Sequence, residues 1–246
     1  MDDLAAVAER LTAARRVTVL TGAGVSAASG VPTFRGPGGL WRQFRPEDLA
    51  TPQAFARDAR LVWEWYDWRR TLIAACRPNR AHDVLAAWSR RFPQFVLITQ
   101  NVDGLHERAG TSNLLRLHGS IWEVKCSRPC AAGARPWRED PVAGAPRPPR
   151  CPHCGDPLRP AVVWFGEALD VAVLRRARAA TACDVFMAVG TSASVYPAAG
   201  LLPEARQRGA CTVEINPDVT DASHAVDFVL SGAAERVLDD LDRATR

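Results

Sequence analysis

The apolar run at residues 17–20 ends in Thr21-Gly22-Ala23-Gly24, and this junction restricts the possible folds more than any other segment. A strand that runs straight into Gly-x-Gly belongs in a parallel sheet whose first turn is built to take a phosphate. Glycine permits positive φ and lets backbone N–H groups approach a pyrophosphate, and a helix starting beyond the turn would add the positive end of its dipole. Two parts of the dehydrogenase fingerprint are absent. Ala27 stands where a third glycine is expected, and no strand ending in Asp or Glu follows about 20 residues later to hold a ribose. The junction points to a dinucleotide and away from ordinary hydride transfer.

The rest of the chain repeats this strand-then-loop pattern. Residues 4–15 read as an amphipathic helix, and short apolar runs recur at 95–99, 185–189, 212–215 and 228–230. They alternate with helical patterns at 81–90, 171–180 and 203–208, which predicts an α/β fold: a doubly wound, Rossmann-like parallel sheet covered on both faces. The polar motifs that follow the strands should then converge on one crevice at the strands' carboxyl ends. Two stretches break the alternation: 36–80, rich in Trp and Arg, and 121–158, rich in Pro, Gly, Arg and Cys and too poor in apolar residues to pack a core. We expect both to form a smaller domain, a helical module plus a zinc ribbon, leaving 1–35, 81–120 and 159–246 as the nucleotide-binding domain.

Cys126-Ser-Arg-Pro-Cys130 and Cys151-Pro-His-Cys154 are two thiol pairs about 20 residues apart, close to zinc-ribbon spacing. Four thiolates close a tetrahedral shell and leave no place for water, so the expected role is structural. The first pair has three intervening residues, which keeps His153 open as a substitute ligand. Cys76, Cys183 and Cys211 sit in apolar or helical contexts and read as buried thiols. The net charge of +4 comes almost wholly from arginine, Lys125 being the only lysine, and no basic run with interleaved aromatics suggests nucleic acid. No apolar run approaches the roughly 20 residues of a membrane span, and the acidic start Met1-Asp2-Asp3 is unlike a signal peptide; the cytoplasm is the expected location.

Five motifs, in order, carry a resemblance. These are Gly22-Ala-Gly24-Val-Ser26-Ala-Ala-Ser-Gly30-Val-Pro-Thr33-Phe34-Arg35, Thr99-Gln100-Asn101-Val102-Asp103, Leu117-His118-Gly119-Ser120, the four cysteines, and Gly190-Thr191-Ser192 followed by Asn216. Together they resemble the sirtuins, NAD-consuming protein deacylases, over nearly the whole chain. The resemblance implies an NAD site formed by Gly22, Ala23, Gly24, Ala27, Thr33, Phe34, Arg35 and Trp41, with Gln100, Asn101, Val102 and Asp103 around the nicotinamide and its ribose. Gly190, Thr191, Ser192, Asn216, Pro217, Asp218 and Ala234 would face the adenosine half. It implies catalysis by His118, Asn101 and Asp103. Nicotinamide leaves as the acyl oxygen of a modified lysine attacks C1′ of the ribose, and His118 helps the 2′-hydroxyl attack the resulting imidate. Water would then give free lysine and acyl-ADP-ribose.

Val163-Trp164-Phe165-Gly166-Glu167 resembles the segment along which the substrate peptide adds as a strand. Tyr66 and Arg69, three apart and so on one face of a helix, resemble the Tyr-x-x-Arg pair of class III sirtuins that binds succinyl or malonyl carboxylates. The expected partners are therefore acyl-lysine proteins, with NAD as co-substrate, one structural zinc per chain, no nucleic acid, no membrane, and a monomeric enzyme. Protein ADP-ribosyl transfer on the same fold, or a zinc-ribbon interaction module that senses NAD, are the alternative readings.

Overall fold

Strand β1 (Arg16–Thr21) turns Val17 and Val19 to one side of the sheet and Thr18 and Leu20 to the other, and all four are buried. The computed structural model describes residues 3–34, 39–40, 44–128, 130, 135–139 and 146–246. Among these, β1 joins β2 (Gln94–Thr99), β3 (Leu114–Arg116), β7 (Val185–Val189), β8 (Cys211–Asn216) and β9 (Phe228–Ser231) in one sheet. The order is β3-β2-β1-β7-β8-β9, and every neighbouring pair is parallel. This is the doubly wound fold expected from the strand-then-loop pattern.

Helices α1 (Asp3–Ala13), α5 (Arg80–Arg91) and α9 (Ala234–Ala244) cover one face through residues such as Leu11, Trp88 and Leu241. Helices α7 (Val171–Ala179) and α8 (Leu201–Gln207) cover the other through Ala177, Leu201 and Leu202. The chain leaves β1 toward β2 on one side, whereas β7 lies on the other. That reversal opens a crevice between the β1 and β7 loops.

Between β1 and β2 the chain inserts α2 (Pro46–Leu49), α3 (Pro52–Arg57) and α4 (Ala59–Ala75). Thr51 and Asp58 start α3 and α4 by accepting the amides of Ala54 and Leu61. A second, antiparallel sheet of order β5-β4-β6 comprises β4 (Gly119–Cys126), β5 (Trp137–Arg138) and β6 (Leu158–Val162). The expectation that 121–158 could not pack a core is corrected here. Ile121, Val124, Cys126, Cys151 and Leu158 share one core with Val62, Trp63, Trp65 and Ile73 of α4, so each insertion supplies what the other lacks.

Charged groups tie the same two segments together. Arg70 on α4 donates to the Ile121 carbonyl at 2.7 Å and pairs with Glu139 at 2.6 Å. Arg147 pairs with Glu139 and Asp67, and both guanidinium groups lie over the Trp63 ring. Among the described residues, no helix is long and apolar enough to cross a membrane.

Candidate active site and zinc cluster

The loops after β1, β2, β7 and β8 meet in the crevice. Gly22 N–H donates to Val189 O and Gly24 N–H to Gly190 O, at 3.1 and 2.8 Å. A Cβ on Gly22 would sit 2.7 Å from Gly190 O, and one on Gly24 would sit 2.8 Å from Gly190 Cα. These two glycines are therefore required by the close crossing of two backbones. The expectation of positive φ does not hold at either, and both amides are already spent within the protein. The segment beyond is a 3-10 helix, Ala23–Ser29, closed by Gly30 at φ 88°.

The sequence motifs converge as anticipated. Gln100 Nε2 donates to Thr191 Oγ1 at 2.8 Å, Asn216 Nδ2 to Thr191 O at 2.8 Å, and Asn101 Nδ2 to Gly22 O at 2.9 Å. Gly190 takes φ 57° where it crosses Gly24 and Val25. Asp103 is buried, its carboxylate accepting from Leu105 N and Ser26 Oγ, both at 2.8 Å. Burial pushes its pKa up, opposed by those two bonds and by the charges of Arg69 and Arg108.

Beneath Asn101 and Asp103 lies a buried polar chain that sequence reading missed. Asn79 N–H donates to His82 Nδ1, so His82 Nε2 carries the proton and faces Ser26 Oγ at 3.4 Å. Ser26 in turn donates to Asp103. Thr21 Oγ1 donates to Thr99 Oγ1, which also accepts Asn101 N–H, while His106 Nε2 lies 3.0 Å from Thr21 Oγ1. The imidazoles of His82 and His106 stand 4.8 Å apart. Burial brings the His82 pKa down to about 4 and that of His106 well below its usual value, so both are neutral. The available signal was Asn79-x-x-His82, in which His82 closes the capping box of α5.

His118 sits between β3 and β4. Its Nδ1 lies 3.0 Å from the Gln100 carbonyl, which can only accept, so Nδ1 bears the hydrogen and Nε2 keeps a free lone pair. Burial lowers its pKa, partly offset by that bond. Val163 N–H donates to His118 O at 3.0 Å, placing residues 163–167 beside it.

Tyr66 and Arg69 on α4 are both buried. The Arg69 guanidinium lies 4.9 Å from the ring centres of Phe34 and Trp65, and among the described residues it has no ion pair or hydrogen bond. Burial lowers its pKa, against the influence of Tyr66 and Asp103. The Tyr66 hydroxyl accepts from Trp164 Nε1 at 2.9 Å, and none of the described residues takes its own proton. A small cavity lined by Val31, Pro32, Leu40, Trp68, Leu72 and Ile73 adjoins Arg69. Thr33 O accepts Leu40 N–H, Ala27, Ser192, Pro217 and Asp218 lie on the loops, Val102 O accepts Ile121 N–H, and Ala234 is buried at the start of α9. Arg35 and Trp41 lie outside the described residues.

The Sγ atoms of Cys126, Cys130, Cys151 and Cys154 all lie within 4.8 Å of one another, with Cys126 and Cys154 at 3.5 Å. A tetrahedral zinc with bonds of about 2.3 Å requires sulfurs about 3.8 Å apart, so the donor set fits. His153 is exposed and is not part of this set, which removes it as a substitute ligand. Cys76, Cys183 and Cys211 are apart from it; burial raises each thiol pKa, that of Cys183 to about 11, as expected for unreactive side chains.

Known proteins are similar to this chain in sequence and fold. The Sir2 family matches residues 22–197. A protein named NAD-dependent protein deacylase 1 from Pseudomonas aeruginosa is 50% identical over 244 residues, covering 97% of each chain. An NAD-dependent protein deacylase from Aquifex aeolicus is 50% identical over 213 residues, covering 86% of this chain and 87% of its own. Among solved structures, a Sir2 homologue mutant in complex with ADP ribose superposes with a TM-score of 0.93 at 44% identity, covering 100% of this chain and 97% of that one. A Sir2 homologue–NAD complex does so with a TM-score of 0.90 at 45% identity, covering 98% and 93%. The family match spans more than half of the chain and the relatives and solved structures cover most of its length, and the chain belongs to the Sir2 family.

Proposed function

We propose that this protein is an NAD-dependent protein-lysine deacylase that favours acidic acyl groups, succinyl and malonyl, while also accepting acetyl. Its relatives of about 50% identity bear the name NAD-dependent protein deacylase, and a solved relative holds NAD. The single observation that carries the acyl preference is the buried guanidinium of Arg69, which has no counter-ion among the described residues and lies 5.9 Å from the centre of the Tyr66 ring, whose hydroxyl has an unspent proton. A buried cation without a partner is costly, and an acyl carboxylate is the anion that would relieve it.

In this reading NAD is consumed as a substrate. Asn101, whose Nδ2 is bonded to Gly22 O and Ser26 Oγ, turns Oδ1 as an acceptor to the carboxamide of nicotinamide, and Asp103, held by Ser26 and the Leu105 amide, supplies a fixed anion near the positively charged ring. His118 Nε2 accepts the proton of a ribose hydroxyl, because Nδ1 is already committed to Gln100 O. Residues 163–167 offer backbone groups to a peptide, which suits many substrate sequences. The four thiolates hold one zinc that keeps the small sheet folded and takes no part in chemistry. We take the nucleotide-binding part to be 1–35, 81–120 and 159–246, the small part to be 36–80 and 121–158, and the enzyme to act as a cytoplasmic monomer.

The test is incubation with NAD and matched acetyl-, malonyl- and succinyl-lysine peptides, following peptide mass and nicotinamide together. The expected result is loss of the acyl mass, one nicotinamide per turnover, and faster turnover of the acidic peptides. Nicotinamide release with a gain of ADP-ribose mass on protein would instead establish ADP-ribosyl transfer.

A further inference from the structure

The Trp164 indole is held more firmly than a peptide-lining residue requires. Arg159 Cζ lies 3.3 Å from its ring centre, Phe55 packs against it at 5.4 Å, and the backbone N–H of Trp164 donates to Glu167 Oε2 at 2.9 Å. Glu167 is in turn paired with Arg159 through both carboxylate oxygens. This clamp aims the indole Nε1–H at one atom, the Tyr66 hydroxyl, at 2.9 Å in a buried setting.

An indole N–H can only donate, so Tyr66 must accept. A phenol O–H prefers the plane of its ring, which gives the proton two positions, and the indole occupies the side of one of them. The Tyr66 proton is left in the other position, with no acceptor among the described residues. Arg69, three residues further along the same helix face, likewise has donors to spare.

We propose that Trp164 is a specificity-positioning residue: its indole N–H fixes the Tyr66 hydroxyl as a donor for an acidic acyl group. The proposal rests on the acidic-acyl reading of Tyr66 and Arg69 and extends it to the peptide segment. Trp164 directly follows Val163, whose amide is bonded to the His118 carbonyl. The acyl pocket and the catalytic histidine are thereby held by consecutive residues of one segment.

The experiment measures KM and kcat for succinyl- and acetyl-lysine peptides with wild type, Trp164→Phe, Tyr66→Phe and the double variant. Phenylalanine keeps an aromatic ring for Arg159 and Phe55 and removes the N–H together with part of the buried ring area. A thermal melt checks that each variant is folded, and Trp164→Met serves if Trp164→Phe is not. Loss of one neutral hydrogen bond predicts a rise of about 2- to 10-fold in the ratio of succinyl KM to acetyl KM, over and above any change in the peptide segment that both substrates share. In the Tyr66→Phe background the substitution should have no further effect, because the hydroxyl it orients is gone. An equal loss on both peptides, or an undiminished loss in the Tyr66→Phe background, would overturn the proposal. Failure of the acidic-acyl reading looks different: Tyr66→Phe and Arg69→Met would then also leave the succinyl-to-acetyl ratio unchanged.

Discussion

His118 shows how much one hydrogen bond can decide. The Gln100 carbonyl selects the tautomer, and burial keeps the imidazole neutral below the usual pKa of 6.5. His118→Ala should lower deacylation by about 10² to 10⁴, the usual loss for a general base, while NAD binding, followed by calorimetry, persists. Unchanged turnover at saturating NAD would remove His118 from the mechanism. The acid limb of the wild-type rate profile should fall below pH 6.5, since activity is lost only as pH drops through the lowered pKa. His118 and Asp103 were legible in the sequence because each follows an apolar run within a recognisable motif. Ser26 and His82 were not singled out, because their importance comes from contacts 56 and 77 residues apart along the chain.

At the scale of elements, strands β1, β2, β7 and β8 were legible because continuous apolar runs leave little else to form. Strand β3 has three residues, too few for periodicity, and β5 has two. The positive φ expected of Gly22 and Gly24 failed for a related reason: sequence does not show that the backbone of another loop, at Gly190, stands where a Cβ would be. The antiparallel sheet escaped because its core is completed by Trp63 and Trp65 of α4, distant in sequence. Its other support is the cysteine set. Cys151→Ser should lower zinc content and thermal stability together, since folding of this segment is coupled to the metal. Full activity and an unchanged melt in zinc-free protein would contradict a structural zinc.

On the scale of the whole molecule, the buried His82 bears on stability, and α4 with the 163–167 segment bears on the proposed specificity. The unfolded chain protonates His82 below about pH 6.5, whereas the folded chain does so only near pH 4. Stability should therefore fall as pH drops across that window, by roughly 3 kcal/mol from His82 alone, as read by urea unfolding at a series of pH values. His82→Gln should flatten this slope. The proposed acyl preference depends on the assembled molecule as well, because α4 supplies the cation and β6 leads into the residue that holds Tyr66. The most direct measurement is kcat/KM on succinyl- and acetyl-lysine peptides for wild type and Arg69→Met. A charge-assisted hydrogen bond contributes about 1.5 to 3 kcal/mol, so the succinyl value should fall roughly 10- to 150-fold while the acetyl value holds or rises. An equal fall on both peptides, or a wild type inactive on succinyl- and malonyl-lysine, would contradict the account.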